Sequence, residues 1–332
     1  MVTPAFTLIV CTYMRPRALH DLLWSVEGQT LYPGEILIVD GSTDFRTRDL
    51  LLSRPFRNLR YYLVDAKNRG LTRQRNFGIR HTNPESQVIC FLDDDTVLEP
   101  DYFRNLLRTY RDYPDALGVG GYITNETHWR KKAGNDTDVD TFSYDGWQRD
   151  EPSRFRIRRR FGLDSNVPPG HAPLFSHGRS IGFLPPSGKV YPVQQLMGGV
   201  SSFRREVFRD FSFSEYFEGY GLYEDADFTL RVSKSGPLYI NTAARLAHYH
   251  EPSGRPNQFR YGKMVVRNGW YVWRVHNPQP GFRDRMKWHA ITLLLTGIRL
   301  TNVFKGEPRQ AFSEAMGRLS GWFGLLLKKP KP

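Results

Sequence analysis

Val88-Ile89-Cys90-Phe91-Leu92-Asp93-Asp94-Asp95-Thr96 is the stretch on which the fold turns. Its apolar run, rich in β-branched and aromatic residues, predicts a buried strand. The strand then delivers three consecutive carboxylates at its C-terminal end. In an open α/β sheet, ligands bind beyond the carboxyl ends of the strands. Three adjacent carboxylates repel one another, and half-burying them unpaired is expensive. A divalent cation removes that cost, and Mg²⁺ is commonly held by one or two carboxylates with substrate phosphates in the remaining positions. The stretch therefore predicts a metal–diphosphate site at a strand end. The plainer alternative is an acidic exit in which an Asp caps the helix starting near Pro100-Asp101-Tyr102.

Three earlier segments repeat the strand pattern. Residues 6–11 form a buried run ending in Thr12-Tyr13-Met14-Arg15-Pro16, and a helix with Leu19, Leu22, Leu23 and Val26 on one face follows. Residues 35–40 end in the acceptor-rich turn Asp40-Gly41-Ser42-Thr43-Asp44, and residues 60–64 make a third strand. Asn68-Arg69-Gly70 opens a helical segment over 71–79 that stops before Asn83-Pro84. Strands alternating with helices predict an α/β fold with a mostly parallel, doubly wound sheet. Thr12, Tyr13 and Arg15 then sit at the first strand end, on the side where the acidic triplet emerges.

The chain has 332 residues, 39% apolar and 24% charged, which suits one large or two smaller soluble globular domains. Cys11 and Cys90 lie in apolar runs and read as buried thiols of a reducing compartment, not a disulfide framework. No charged n-region precedes an apolar h-region at the N-terminus, so a cytoplasmic protein is expected. The net charge of +13 is uneven: residues 255–332 hold fifteen Lys/Arg and three Asp/Glu, leaving 32 basic and 31 acidic groups in residues 1–254. A nearly neutral body with a basic appendage is implied. The charge admits a basic nucleic-acid-binding protein, but no helix-turn-helix, zinc or RNA-recognition signature accompanies it, so no nucleic-acid partner is expected.

The segments "VCTYMRPRALHDLLWSVEGQT", "EILIVDGSTD", "NRGLTRQRNFGI" and "VICFLDDDTVLEPDYF", followed by "GGVSSFRREVF" and "YEDADFTLR", resemble in order and spacing the family 2 glycosyltransferases of the GT-A fold. The resemblance covers roughly residues 5–255. It implies an inverting, metal-dependent transfer of a hexose from a nucleoside-diphosphate sugar to a saccharide or lipid-linked acceptor, in surface polysaccharide or glycolipid synthesis. It implies Mn²⁺ or Mg²⁺ on Asp95. Asp93 would meet the ribose or a metal-bound water, and Asp94 is the less defined middle residue of the Asp-x-Asp motif. Asp40 would accept hydrogen bonds from the base, and Asn68 and Arg75 would lie over the nucleotide. Gly198, Gly199 and Val200 would border donor sugar and acceptor, the paired glycines allowing close backbone approach to a ligand. Asp225 would be the general base on the acceptor hydroxyl, with Glu224 orienting it. Asp227 and Arg231 would support their helix. His248, trailed by Pro252-Ser253-Gly254-Arg255, would be a further metal ligand, with His250 as the alternative on the same side of a strand. The ordinary readings of these residues are turn formers, surface charges, a helix first turn rich in acid and two surface histidines.

Three regions fall outside that core. Residues 121–195, with Pro168-Pro169-Gly170, Pro185-Pro186 and the basic run 154–160, read as an irregular acceptor-side insertion in which the Arg run makes an edge strand. Residues 1–254 are taken as the catalytic domain, with the nucleotide-binding part at 1–120. Residues 255–332 are taken as a basic, aromatic-rich helical region able to lie peripherally on the anionic inner face of the cell membrane. Asp93-Asp94-Asp95-Thr96 also fits haloacid-dehalogenase-like phosphatases, with Asp93 as nucleophile, but the later Gly-Asp-x-x-x-Asp segment of that family is missing.

Overall fold

The first β-strand, β1 (Phe6–Thr12), and the strand that carries the acidic triplet, β4 (Val88–Asp93), lie side by side and parallel, with Cys11 opposite Asp93. The structure, a computed structural model, describes residues 4–132, 140–250, 256–304 and 306–332. Between these strands run α1 (Pro16–Glu27), β2 (Glu35–Asp40), α2 (Arg46–Ser53), β3 (Leu59–Leu63) and α3 (Leu71–Arg80). After β4 come β5 (Thr96–Leu98), α4 (Tyr102–Asp112) and β6 (Gly118–Ile123). The chain divides into two units, Met1–His128 with Ile181–Gly254, and Trp129–Ser180 with Arg255–Pro332.

The first unit is built on a nine-stranded sheet. Its later elements are β10 (Val190–Val193), β11 (Val200–Arg204), α6 (Val207–Asp210), α7 (Glu224–Val232) and β12 (Leu238–His248). The order is β10-β12-β6-β11-β4-β1-β2-β3, with β5 on β12. The half β3-β2-β1-β4 is parallel, as expected for strands joined by helices, and its β1, β2 and β4 read as continuous apolar runs because both faces are covered. Leu19, Leu22, Leu23 and Val26 of α1 pack fully buried against this half, together with Leu8, Val10, Ile36 and Ile38. The other half is mixed: β11 runs antiparallel between β4 and β6, and β12 runs parallel to β6.

β11 (Val200–Arg204) is a central strand, and β12 runs continuously from Leu238 to His248 with a register shift between Ile240 and Arg245. Two expectations change here. Cys11 is only half buried, though both cysteines are free thiols. Asp101 stands at the start of α4 without capping it, because its carboxylate accepts from Thr30 Oγ1 at 2.6 Å.

The second unit holds β7 (Arg130–Lys131), β8 (Thr141–Tyr144) and β9 (Trp147–Asp150), an antiparallel sheet in the order β7-β9-β8. It is followed by α5 (Ser153–Arg160) and, later, α8 (Gln258–His276), α9 (Phe282–Thr301) and α10 (Pro308–Leu327). The Arg run is therefore a helix, not an edge strand. Phe155 and Arg158, three apart, are its buried residues, a helical and not a strand spacing. The sequence division at 254/255 set residues 129–180 with the catalytic domain, whereas they cluster with residues 255–332. The tryptophans make this unit's core: Trp270, Trp273 and Trp288 are buried, with ring centroids 4.9–5.6 Å apart. Among the described residues no helix is long and apolar enough to cross a membrane.

Candidate active site

The parallel strands β1, β2 and β4 all end on one edge of the first sheet, and the loops after them are tied together there. The Met14 amide donates to Ser42 Oγ at 2.8 Å, and the Gly41 amide to Thr12 O at 3.0 Å. Gln74 Nε2 on α3 donates to Thr12 O and to Val39 O, at 3.1 and 2.7 Å, and Arg69 Nε to Gly41 O at 2.6 Å. Met14 takes a left-handed φ of 60°, an uncommon backbone state for a non-glycine residue. Gln74 and Arg69 were not singled out from the sequence. Their only signal is their place in the segment after Asn68.

The three aspartates split at the end of β4. Asp94 turns inward: Thr12 Oγ1 donates to it at 2.6 Å and Arg15 Nη1 at 3.1 Å. Burial pushes its carboxyl up to about 7, against the pull of Arg15 and Thr12. Asp93 keeps about a third of its side chain exposed and lies 3.6 Å from Arg75 Nη2. Asp95 is buried, 3.7 Å from Arg15 Nη1 and 3.0 Å from His248 Nε2. The middle residue is thus bound into the protein, and its two neighbours face the site.

Arg75, buried on α3, joins this edge to α7. Its Nη1 pairs with Glu224, and its guanidinium lies 5.2 Å from the Phe213 ring centre. Glu224 is buried, its Oε2 has no hydrogen-bond partner among the described residues, and burial pushes its carboxyl up to about 8 against the opposing pull of Arg75. Tyr223, immediately before α7, adopts φ 70°, a strained state for an aromatic residue that sets the angle at which Glu224 and Asp225 leave the helix start. Asp225 accepts from the Gly198 amide at 3.2 Å and from the Ala226 amide at 2.8 Å. Burial raises its carboxyl, and the two amides act to lower it. Asp227 pairs with Arg231 at 2.7 Å within the helix.

The paired glycines allow a close approach, but to the protein's own carboxylates. A Cβ on Gly199 would stand 2.0 Å from Asp93 Cγ, and one on Gly198 would stand 2.5 Å from Glu224 Oε1 and 2.7 Å from Arg75 Nη1. Any side chain there would expel the acidic groups from the corner.

Other expected site residues fall outside the cluster. Val200 is buried in the hydrophobic core. Asp40 has no exposed surface, and its oxygens accept from Tyr61 OH at 2.9 Å and the Ser42 amide at 2.8 Å. Both oxygens thus help to hold the turn after β2. Asn68 closes a turn on Asp65 through two 3.0 Å hydrogen bonds. Tyr13 is exposed at the rim.

His248 ends β12 and His250 follows it with φ 32°, beyond the strand, so their shared direction comes from the turn and not from strand alternation. His248 Nδ1 lies 3.3 Å from Glu126 Oε1, and His250 Nε2 lies 2.9 Å from the same oxygen. Glu126 was not anticipated; nothing in "Asn125-Glu126-Thr127" marks it. Burial by itself would lower the His248 imidazole, but Asp95 and Glu126 carry it up to about 10. The segment Pro252-Ser253-Gly254-Arg255 lies outside the described residues.

Asp93, Asp95 and His248 each present a ligand atom within 4.8 Å of the others. Two carboxylate oxygens and an imidazole nitrogen form a donor set able to hold a divalent cation, and Asp93's exposure leaves the set open on one side. The carboxylate on the far nitrogen of His248 is the usual device for orienting a ligating imidazole.

The family model of glycosyl transferase family 2 matches residues 7–179, about half of the chain. The Bacillus subtilis EpsH protein is 36% identical over 118 residues, 35% of this chain and 33% of that protein. The glucosyl-dolichyl phosphate glucuronosyltransferase of Haloferax volcanii is 30% identical over 130 residues, 38% of this chain and 40% of that protein. The chain thus matches well under half the length of these curated relatives. Among solved structures, the mannosyltransferase PcManGT of Pyrobaculum calidifontis, in complex with GDP-Man and Mn²⁺, superposes with a TM-score of 0.52 at 15% identity, over 99% of this chain and 82% of that one. GalNAc-T7 with UDP, GalNAc and Mn²⁺ superposes at 0.51 and 13% identity, over 90% and 58%. The shared fold is the α/β fold of the GT-A glycosyltransferases.

Proposed function

This chain belongs to glycosyl transferase family 2, and from that premise we propose that it is a metal-dependent, inverting glycosyltransferase. It takes a hexose from a nucleoside-diphosphate sugar and places it on a hydroxyl of a saccharide or lipid-linked acceptor, in polysaccharide or glycolipid synthesis. The observation that carries this reading is the corner itself. Among the described residues, Asp93, Asp95 and His248 bring three ligand atoms within 4.8 Å of one another, with Asp94, Glu224 and Asp225 close by. A divalent cation that also holds a diphosphate suits such an open, acid-rich set.

Asp93, Asp95 and His248 would hold the cation. When bound, it supplies the charge that neutralises the departing diphosphate. Asp225 accepts the proton of the acceptor hydroxyl as that oxygen bonds to the anomeric carbon. The bond from that carbon to the diphosphate oxygen breaks, and its electron pair leaves with the nucleoside diphosphate. The reaction suits a base with a modest pKa because the proton moves late, when the hydroxyl oxygen is already bonding to carbon. The two backbone amides on Asp225 fix its direction. Arg75 holds Glu224 and Asp93 in register across α3, β4 and α7.

The test is a thermal-shift panel of nucleoside diphosphates and nucleotide sugars with and without Mn²⁺. At least one nucleotide should raise the Tm only when Mn²⁺ is present, and Asp95→Ala should abolish the shift and lower turnover by about 10³-fold. A protein that no nucleotide stabilises, with or without the ion, overturns the proposal.

A further inference from the structure

The second unit buries its tryptophans yet leaves a second set of large apolar side chains outside. On α9, Phe282, Met286, Leu293 and Leu300 are all exposed, Phe282 at 77%. At 100° per residue these four positions fall within about 40° of one another, so they form one row along the helix. Between Met286 and Leu300 the other exposed positions are Ala290 and Gly297, which extend the row without adding charge. On α10, every exposed residue after the first turn is apolar: Phe312, Phe323, Leu326 and Leu327, the last at 92%. Phe304, in the short helical turn Asn302–Phe304 that follows α9, is 91% exposed.

Basic groups surround these rows. Arg283, Arg285, Arg309, Lys328 and Lys331 are exposed. Of the three acidic residues in this region, Glu314 is buried and neutralised internally by Arg299 and Arg318, each at 2.7 Å. An apolar face rimmed by a net excess of positive charge is the pattern of a helix lying in the plane of an anionic bilayer. A second copy of the chain is a poor occupant, because residues 255–332 carry fifteen basic and three acidic groups and would meet their own charge.

We propose that α9, α10 and the Phe304 turn form an attachment face for a lipid surface containing anionic headgroups. Phe304, Phe282 and Leu327 insert at the headgroup boundary, and the flanking Lys/Arg engage lipid phosphate. Each such cation strengthens attachment by about fivefold.

The experiment is co-sedimentation of the full chain with vesicles of phosphatidylcholine alone or of phosphatidylcholine with phosphatidylglycerol, in chelator and without nucleotide. Its outcome is then independent of the active-site reading. Binding is expected to the anionic vesicles, weakening as salt is raised. Phe304→Ser with Leu327→Ser should reduce partitioning about tenfold at unchanged Tm, since both side chains are already in solvent. Phe282→Ser with Met286→Ser, on a separate row, should also reduce it. The proposal is overturned by no binding, by equal binding to neutral and anionic vesicles, or by binding that neither pair of substitutions alters. It is equally overturned by a dimer in solution that these substitutions dissociate, which would assign the face to a second copy.

Discussion

Two clusters of buried carboxylate and arginine, one taken from each unit, are built to opposite ends. In the second unit, Glu151 and Asp164 face Arg159 and Arg179, two charges against two. Arg179 donates twice to one Glu151 oxygen, at 2.5 and 3.0 Å, and to both Asp164 oxygens, at 2.7 and 3.1 Å, a fork on that carboxylate. That cluster is closed, and a further ion would have nothing to neutralise. At the sheet edge of the first unit, five carboxylates gather around Arg15, Arg75 and His248, and among the described residues one Glu224 oxygen has no hydrogen-bond partner. The same residue types thus make a brace in one place and a candidate binding site in the other. Charge balance and satisfaction of hydrogen bonds separate the two, and residue identity does not.

That contrast can be broken by experiment. The largest effect is expected from Asp225→Asn, which should lower turnover by about 10³-fold while leaving Mn²⁺ and nucleotide binding intact. A general base works deprotonated, so activity should fall as pH falls through the Asp225 pKa. Burial has moved that point above the ordinary value near ~3.9. A rate–pH profile should show the acidic limb in the parent and lose it in the residual activity of the variant. Equal activity in parent and variant would remove Asp225 from the chemistry.

In the closed cluster the expected loss is of stability. Arg179→Met leaves Glu151, which has no exposed side-chain surface, with Arg159 but without the Arg179 guanidinium, and should cost about 3–5 kcal/mol in urea unfolding. Nucleotide-dependent Tm shifts in the same variant should persist. If Arg179→Met abolished nucleotide binding instead, the distinction between brace and site would fail.

The smallest effect sharpens the comparison within the site. Glu126→Gln keeps the shape beside His248 but removes the carboxylate on its Nδ1 side. Mn²⁺ affinity measured by titration calorimetry should drop by about 10–100-fold, with the Tm of the metal-free protein nearly unchanged. Unaltered affinity would leave Glu126 as a partner of His250 alone.

What the sequence determined by itself was local. The run 88–92 is apolar and β-branched, so it must be buried and extended, and the three aspartates that follow must then emerge at its end. The same holds for α1, whose four apolar residues are its buried face. What only the tertiary structure decided was which distant segments meet there. Arg75 and Glu224 are 149 residues apart, and His248 and Glu126 are 122 apart. No periodicity records that β11 enters between β4 and β6, bringing Gly198 and Gly199 against Asp93 and Glu224. Nor does it record that Asp40, Asn68 and Val200 are spent on a turn, a turn and the core. Short-range pattern fixes which face of an element is apolar. Pairing between elements depends on the combined packing of the whole sheet, and that sum is not written in any one segment.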